Sequence, residues 1–241
     1  HRVSRINPYL VDAPDLVLTG RSRPLCQVPE IGIGNKPIDG GHYLFTTAER
    51  DAFLRQEPEA APFFRRWLGS DEFLNGYERW CLWLGDCPPE QLRRMPETLK
   101  RVEAVRRTRL ASRSAPTRKL AETPTRFHVE NRPQGNFLVI PKVSSERRLF
   151  IPIGFMSPVT FCSDLVFIFP DATLFHFGIL SSTMHNAWTR AVCGRLKSDY
   201  RYSVGIVYNN FPWPPDPSER QRDAIEAAAQ GVLDARGGFP G

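Results

Sequence analysis

The chain has 241 residues, with 32 Lys and Arg against 26 Asp and Glu, a formal net charge of +6 and 41% hydrophobic residues. With 16 Phe, 6 Tyr and 5 Trp it carries more burial capacity than a disordered chain, and no stretch reaches the roughly 20 apolar residues of a membrane span. Five scattered cysteines (Cys26, Cys81, Cys87, Cys162 and Cys193) argue against a disulfide framework and fit a reducing, cytoplasmic compartment, as does an N-terminus that leads into Asn7-Pro8-Tyr9 and not into an apolar signal core.

Residues 1–45 read as extended and turn-rich, because Pro8, Pro14, Pro24, Pro29 and Pro37 each push the preceding residue toward extended geometry. Thr46-Thr47-Ala48-Glu49 has the form of a capping box and predicts a helix over Ala48–Gln56. Pro58 predicts the start of a second helix through Phe63, Phe64, Trp67 and Leu68, stopped by Gly69. Arg79-Trp80-Cys81-Leu82-Trp83-Leu84 reads as a buried strand. Pro88-Pro89 opens a short helix that Pro96 interrupts, and Glu97–Ser112 follows as a longer one.

From residue 136 the pattern changes to short β-like runs: Phe137–Ile140, Leu149–Ile153, Leu165–Phe169 and Thr173–Phe177. A helix is expected over Thr183–Cys193, capped by Ser181 or Ser182, then a short strand at Ile206–Tyr208 and the proline-rich Phe211–Pro217. Ser218-x-x-Gln221 caps a last helix with Ile225, Ala228, Ala229, Val232 and Leu233 on one side and Gly237-Gly238 as its stop. That apolar face has no downstream partner, so the chain reads as a fragment whose last helix begins another module. The fold class these elements define is α+β, a mixed or antiparallel twisted sheet with flanking helices and a C-terminal helix.

The positive charge is local. Between Arg93 and Lys119 ten basic residues face only Glu97 and Glu103, a window of +8 in a chain of +6, so the remainder carries −2. The apolar residues of the helix within it (Leu99, Val102, Val105, Leu110) form no clean stripe, and its arginines fall on several faces. A solvated helix braced by Glu97–Arg101 and Glu103–Arg107 is one account. Most of the cations stay uncompensated in it, which favours contact with nucleic-acid phosphates by Arg106, Arg107, Arg109, Arg113, Arg118 and Lys119, with Lys197 and Arg201 from a later block.

A polar cluster between β-like runs holds Arg126, His128, Asn131, Arg132, Gln134 and Asn136, then Ser144-Ser145-Glu146-Arg147-Arg148. These side-chain types can read base edges in the major groove, and the segment can equally be an ordinary polar hairpin turn. Tyr200, Tyr202, Tyr208 and Trp213 either bracket nucleotides or pin a loop to the core, the latter being preferred for Phe211 and Trp213. No catalytic constellation is visible, and the five histidines lack metal-site spacing. Gly32-x-Gly34 precedes Asn35-Lys36-Pro37 and no helix, against a dinucleotide loop; Asn7-Pro8-Tyr9 lacks the second proline of an amino-methyltransferase loop and reads as a turn.

Taken together, Ile6–Pro14, Arg79–Leu84, Val143–Arg148, Phe177–Leu180, Gly194–Ser203 and Tyr208–Pro214 resemble the specificity region of the MmeI-like DNA adenine methyltransferases, often single-chain restriction–modification enzymes. The resemblance runs through nearly the whole chain. It implies an exit segment from an upstream methyltransferase domain over residues 1–45, a target recognition domain over 46–214, and the start of a helical C-terminal domain over 215–241. It further implies double-stranded DNA as partner, beside the upstream methyltransferase domain of the same chain. S-adenosylmethionine, and Mg2+ where a nuclease is fused, belong to the parent enzyme; the fragment itself has no cofactor, metal or catalytic residue. Arg126, Arg132, Gln134, Asn136, Ser145, Glu146, Arg147 and Arg148 are the base-reading candidates by chemistry and placement. The alternative is a protein-interaction scaffold that docks partner subunits through its basic and C-terminal helices.

Overall fold

The computed structural model describes residues 17–238, so the Ile6–Pro14 block and the Asn7-Pro8-Tyr9 turn lie outside the described residues. In chain order, β1 (Gly32–Ile33) and β2 (Leu44–Thr46) precede α1 (Thr47–Gln56), and a 3-10 helix, Pro58–Phe63, leads into β3 (Phe64–Leu68). There follow α2 (Ser70–Asn75), β4 (Arg79–Leu82), α3 (Pro89–Leu92), α4 (Pro96–Leu110) and α5 (Ala115–Lys119). The strands β5 (Phe137–Pro141), β6 (Val143–Ser144), β7 (Gly154–Met156), β8 (Thr160–Cys162) and β9 (Val166–Phe169) come next. The chain closes with α6 (Leu174–Ser181), α7 (Thr183–Val192), β10 (Gly194–Leu196), β11 (Asp199–Arg201) and α8 (Glu219–Gly238). The fold is mixed α and β, with antiparallel and mixed sheets and a C-terminal helix, as the sequence pattern predicts. It divides into two compact units, each assembled from separated stretches of chain.

One unit comprises Ile33–Gln134 and Ser157–Val166. Its sheet has the order β2-β4-β3-β8, antiparallel except for the parallel pair β3/β8. Aromatic side chains fill the core edge to face, with ring centroids 5.0 Å apart for Phe45 and Phe64 and 4.9 Å for Trp83 and Phe127. Burial of each such ring contributes about 2–3 kcal/mol. The capping box of α1 forms as expected: Thr46 Oγ1 accepts from the Glu49 amide, and the Glu49 carboxylate accepts from the Thr46 amide.

The expected second helix is corrected. Pro58–Phe63 makes one 3-10 stretch, and Phe64–Leu68 is strand β3, extended because β4 and β8 pair with its two sides. The long basic helix, α4, is present, and the buried Glu57 carboxylate caps it by accepting from the Glu97 amide (2.7 Å), the Thr98 amide (3.0 Å) and Thr98 Oγ1 (2.6 Å). These bonds satisfy amides that a helix beginning at Pro96 leaves open. Gly34 lies where the chain approaches the Cys162–Ser163 backbone. A Cβ there would sit 2.2 Å from the Ser163 carbonyl oxygen and 2.5 Å from that of Cys162. The glycine serves strand contact, with Asn35 bonded to the Cys162 carbonyl through both its amide (2.6 Å) and its side chain (2.9 Å).

The second unit comprises residues 17–32, 135–156 and 167–238 of the described chain. It contains β5, paired antiparallel to β7 and flanked on its other side by β9, with all five β5 residues buried. A smaller antiparallel sheet has the order β10-β11-β6.

Three expected strands are corrected here. Thr173–Phe177 is the N-cap and first turn of α6, with Thr173 paired through its amide and hydroxyl to His176 Nδ1. Ile206–Tyr208 lies in a π-turn over Val204–Tyr208, which Asn210 Nδ2 braces by donating to the Gly205 and Ile206 carbonyls. Leu149–Ile153 is irregular, since Pro152 has no N–H to pair and Asn186 and Arg190 bind its backbone instead.

Ser182 caps α7, accepting from the His185 amide at 3.1 Å, and Ser218 and Gln221 form the expected capping box of α8. Gly237 and Gly238 are the last two residues of α8 and the last described residues of the chain. The apolar face of α8 has a partner upstream: Ala229 is buried, and Gly178 of α6 lets Ile225 approach so closely that a Cβ there would lie 2.8 Å from Ile225 Cγ2. Phe211 and Trp213 are core residues, as preferred, their rings 5.8 Å apart. All five cysteines are free, and burial pushes the Cys162 thiol up to about 12.

Candidate nucleic-acid interface

Two sets of exposed cations are candidates, one on each unit. In the first unit α4 and α5 present Arg106, Arg107, Arg113, Arg118 and Lys119 to solvent. The acids of α4 engage Lys100 and Arg106, one turn on, and neither of the Arg101 and Arg107 pairings expected from i,i+4 spacing: Lys100–Glu97 is 2.6 Å and Arg106–Glu103 is 3.5 Å. Arg101 turns inward, its guanidinium 4.6 Å from the Phe45 ring centroid. Arg118 donates to the carbonyls of Ser112 and Arg113, both at 2.9 Å, which closes the turn between α4 and α5. Arg106 and Arg118 flank a groove of about 460 Å³ lined also by Leu110, Ala121, Glu122 and Pro124.

Arg109 leaves the phosphate-binding set. It is 1% exposed, and its guanidinium donates to five carbonyls: Nε to Ile38 (2.9 Å), Nη1 to Leu120 (2.8 Å) and Thr123 (2.9 Å), Nη2 to Pro37 (2.8 Å) and Arg126 (2.8 Å). No donor remains for a phosphate. Burial holds its pKa below the usual arginine value, with Tyr43 and Asp39 acting the other way. The residue ties the 37–38 loop to the segment that leads to Arg126.

Arg126 and Arg132 are exposed and already engaged. Arg126 donates to the Gly85 carbonyl (2.8 Å) and pairs with Glu130 (3.0 Å). Arg132 pairs with Asp86 (2.9 Å) and lies 5.2 Å from the Trp83 ring centroid. The Trp83 indole N–H, and secondarily Arg132, hold the Asp86 carboxyl below its usual range. Gln134 is exposed and donates to the Arg132 carbonyl at 3.4 Å.

In the second unit Asn136 is exposed just before β5, and the small sheet gathers the remaining candidates. Register places Tyr200 opposite Ser144 and Arg201 opposite Val143, so the turn that follows β6 lies beside the β10–β11 hairpin. The turn is closed by the Arg148 amide donating to the Ser145 carbonyl (3.1 Å) and by the Arg147 amide donating to Ser145 Oγ (3.3 Å). The Glu146 amide donates to Asp199 of β11 at 3.3 Å, which joins turn to hairpin. Lys197 sits at the hairpin tip with φ +56°, a left-handed conformation that the tight turn imposes. Arg195 stacks its guanidinium 4.1 Å over the Tyr200 ring and donates to the Ser198 carbonyl.

Glu146, Arg147 and Arg148 in the turn after β6, and Arg195, Lys197 and Arg201 on the β10–β11 hairpin, are thus all exposed, and none of these five cations has a carboxylate within ion-pair distance among the described residues. Arg195 escapes the sequence-derived set; its place two residues before the hairpin tip and on the face of Tyr200 becomes evident only with the strand register. Among the described residues, no three His, Cys, Asp or Glu gather where they could hold a metal ion, and no helix is long and apolar enough to cross a membrane.

Residues 12–215 match the family described as MmeI, target recognition domain, and the chain belongs to that family. Over 234 residues, 97% of this chain, it is 40% identical to DNA methyltransferase A of Bacillus subtilis (strain 168), covering 26% of that protein. The solved structure of the type IIL restriction-modification enzyme MmeI in complex with DNA superposes with a TM-score of 0.96 at 45% identity, covering 99% of this chain and 32% of that one. The chain therefore spans about a quarter to a third of the length of these relatives.

Proposed function

We propose that this chain is the sequence-specific DNA recognition module of a larger methyltransferase, which positions a target adenine for a catalytic domain elsewhere in the parent protein. The observation that carries this reading is the small sheet, whose register brings the turn bearing Glu146, Arg147 and Arg148 beside the hairpin bearing Arg195, Lys197 and Arg201, all exposed and with no acidic partner for the cations among the described residues. An arginine fork matches the O6 and N7 acceptors of guanine, and a glutamate accepts from the N4 amino group of cytosine. The exposed cations of α4 and α5 suit phosphate contact, which supplies affinity without sequence preference. The match to a target recognition domain family and the DNA-bound state of the MmeI structure support the same reading. S-adenosylmethionine, and Mg2+ where a nuclease is fused, we assign to parts of the parent outside this chain. Gly34, the second glycine of Gly32-x-Gly34, is taken up by close contact with the Cys162–Ser163 backbone.

Binding of labelled duplex DNA, followed by fluorescence anisotropy from 50 to 300 mM salt, tests the proposal. With about five phosphate contacts the logarithm of affinity falls against that of salt with a slope of about −4 to −5, at roughly 0.9 per contact. Replacing Arg107, Arg113 and Lys119 together by Gln lowers the slope by about 2 to 3 units. Glu146→Gln and Arg148→Ala in the full-length parent change the methylated sequence, read by methylome sequencing. Absence of duplex binding, or binding insensitive to salt, refutes the proposal; unchanged methylation sites remove Glu146 and Arg148 from base reading.

A further inference from the structure

The turn that carries Arg147 and Arg148 continues into two large apolar side chains that the fold leaves in solvent. Leu149 is 76% exposed and Phe150 45% exposed. Singly exposed apolar residues are ordinary, but these two are adjacent and their backbone is firmly held. Arg190 of α7 donates through Nη2 to the carbonyls of Leu149 and Arg148, and the Ile151 amide donates to Asn186 Oδ1 at 2.7 Å. Asn186 is itself buried and tied to the Ser182 carbonyl at 2.8 Å, while Ile151 is buried next in sequence. Phe150 and Leu149 lean over a hollow of about 190 Å³ walled by Thr183, Asn186 and Arg190.

A loop fixed at its backbone that leaves two large apolar side chains in solvent, with Arg147 and Arg148 just before them in sequence and Arg190 lining the same hollow, suits a surface that is both anionic and stacked. We propose that Leu149, buttressed by Phe150, is an apolar wedge that enters between neighbouring base pairs of bound duplex DNA. This rests on the DNA-recognition reading above. Exposed Arg147 and Arg148 precede the patch in sequence and Arg190 lines its hollow, which makes an apolar protein surface a poor match and a nucleic-acid surface a good one. Wedges of this kind unstack a base step at a cost of a few kcal/mol, which the contacts made by the deformed duplex offset.

The test uses a duplex selected from a randomised library by binding to this chain. Thymines in it are probed with permanganate, which oxidises them when unstacked, and purines are replaced in turn by 2-aminopurine, which brightens when unstacked. The wild-type chain gives one step about fivefold or more brighter or more reactive than in free duplex. In Leu149→Ala and Leu149→Ser that signal returns to the free-duplex level and affinity falls about three- to tenfold, whereas the slope against salt stays the same because no phosphate contact is lost. Leu149→Met restores the signal, and Phe150→Ala weakens it. Salt-dependent binding with no unstacked step in the wild type overturns the wedge and leaves DNA recognition standing. A signal that survives both Leu149 variants overturns it too, since another group then opens the step. No binding to any duplex overturns both.

Discussion

Arg109→Met removes the guanidinium that bonds five carbonyls, while it keeps most of the side-chain stem in place. A hydrogen bond in a folded protein is worth about 1 kcal/mol net, so the five together reach about 5 kcal/mol. Freeing the chain from a desolvated cation returns part of this, which leaves a loss of about 3–5 kcal/mol against a total stability of about 5–15 kcal/mol. Arg109→Lys keeps the charge and has three donors in place of five, and falls between, at about 2 kcal/mol. Urea unfolding monitored by tryptophan fluorescence reads the loss directly, since Trp67 and Trp83 lie in the core of the same unit. With a slope of about 2 kcal/mol per molar, the midpoint of the Met variant drops by about 2 M. A midpoint that moves by less than about 0.3 M while DNA binding weakens and its salt slope shrinks by about 1, the signature of a phosphate contact, returns Arg109 to the phosphate-binding set.

Two further outcomes follow from buried groups. Burial lowers the His185 imidazole to about 4, whereas an unfolded histidine titrates near 6.5, so acid protonates the unfolded chain first. Stability is therefore intact above pH 6.5 and falls by about 3 kcal/mol as pH drops to 4. His185→Gln flattens that stretch of a urea-midpoint profile against pH, and an unchanged profile in the variant assigns the acid sensitivity elsewhere. Gly34→Ala drives a methyl group into the Ser163 and Cys162 carbonyls and costs about 2–3 kcal/mol in thermal or urea unfolding. Wild-type stability in that variant means the two backbones separate freely.

What the sequence makes legible here is local. Thr46 with Glu49 and Ser218 with Gln221 mark helix starts because the groups that bond lie three residues apart. Arg79–Leu84 and Phe137–Ile140 read as strands because they are short, largely apolar runs bounded by turn residues. Phe64–Leu68 does not, since its apolar residues keep a helix-like spacing and it is pairing with Arg79–Leu82 on one side and with Thr160–Cys162, far along the chain, on the other that makes it extended. Thr173–Phe177 has the aromatic content of a strand, and the cap made by His176 turns it into a helix. The same limit governs the interface. Composition points to Arg106, Arg107 and Arg109 alike, yet the carbonyls that claim Arg109 come from residues 37–38 and 120–126. The grouping of Arg147 and Arg148 with Arg195 depends on strand register, which no short motif encodes.

The bonds that hold the turn after β6 bear on how readily this surface can be retuned. Its shape is set by main-chain atoms of residues 145, 148, 149 and 151, gripped by Arg190 and Asn186 from a neighbouring helix. The side chains at positions 146 to 149 contribute almost nothing to that grip. Exchanging them alters what the surface touches and leaves the scaffold's stability nearly untouched, so its contacts can change by single steps that incur little folding penalty. What this surface touches and what holds it in shape rest on different atoms.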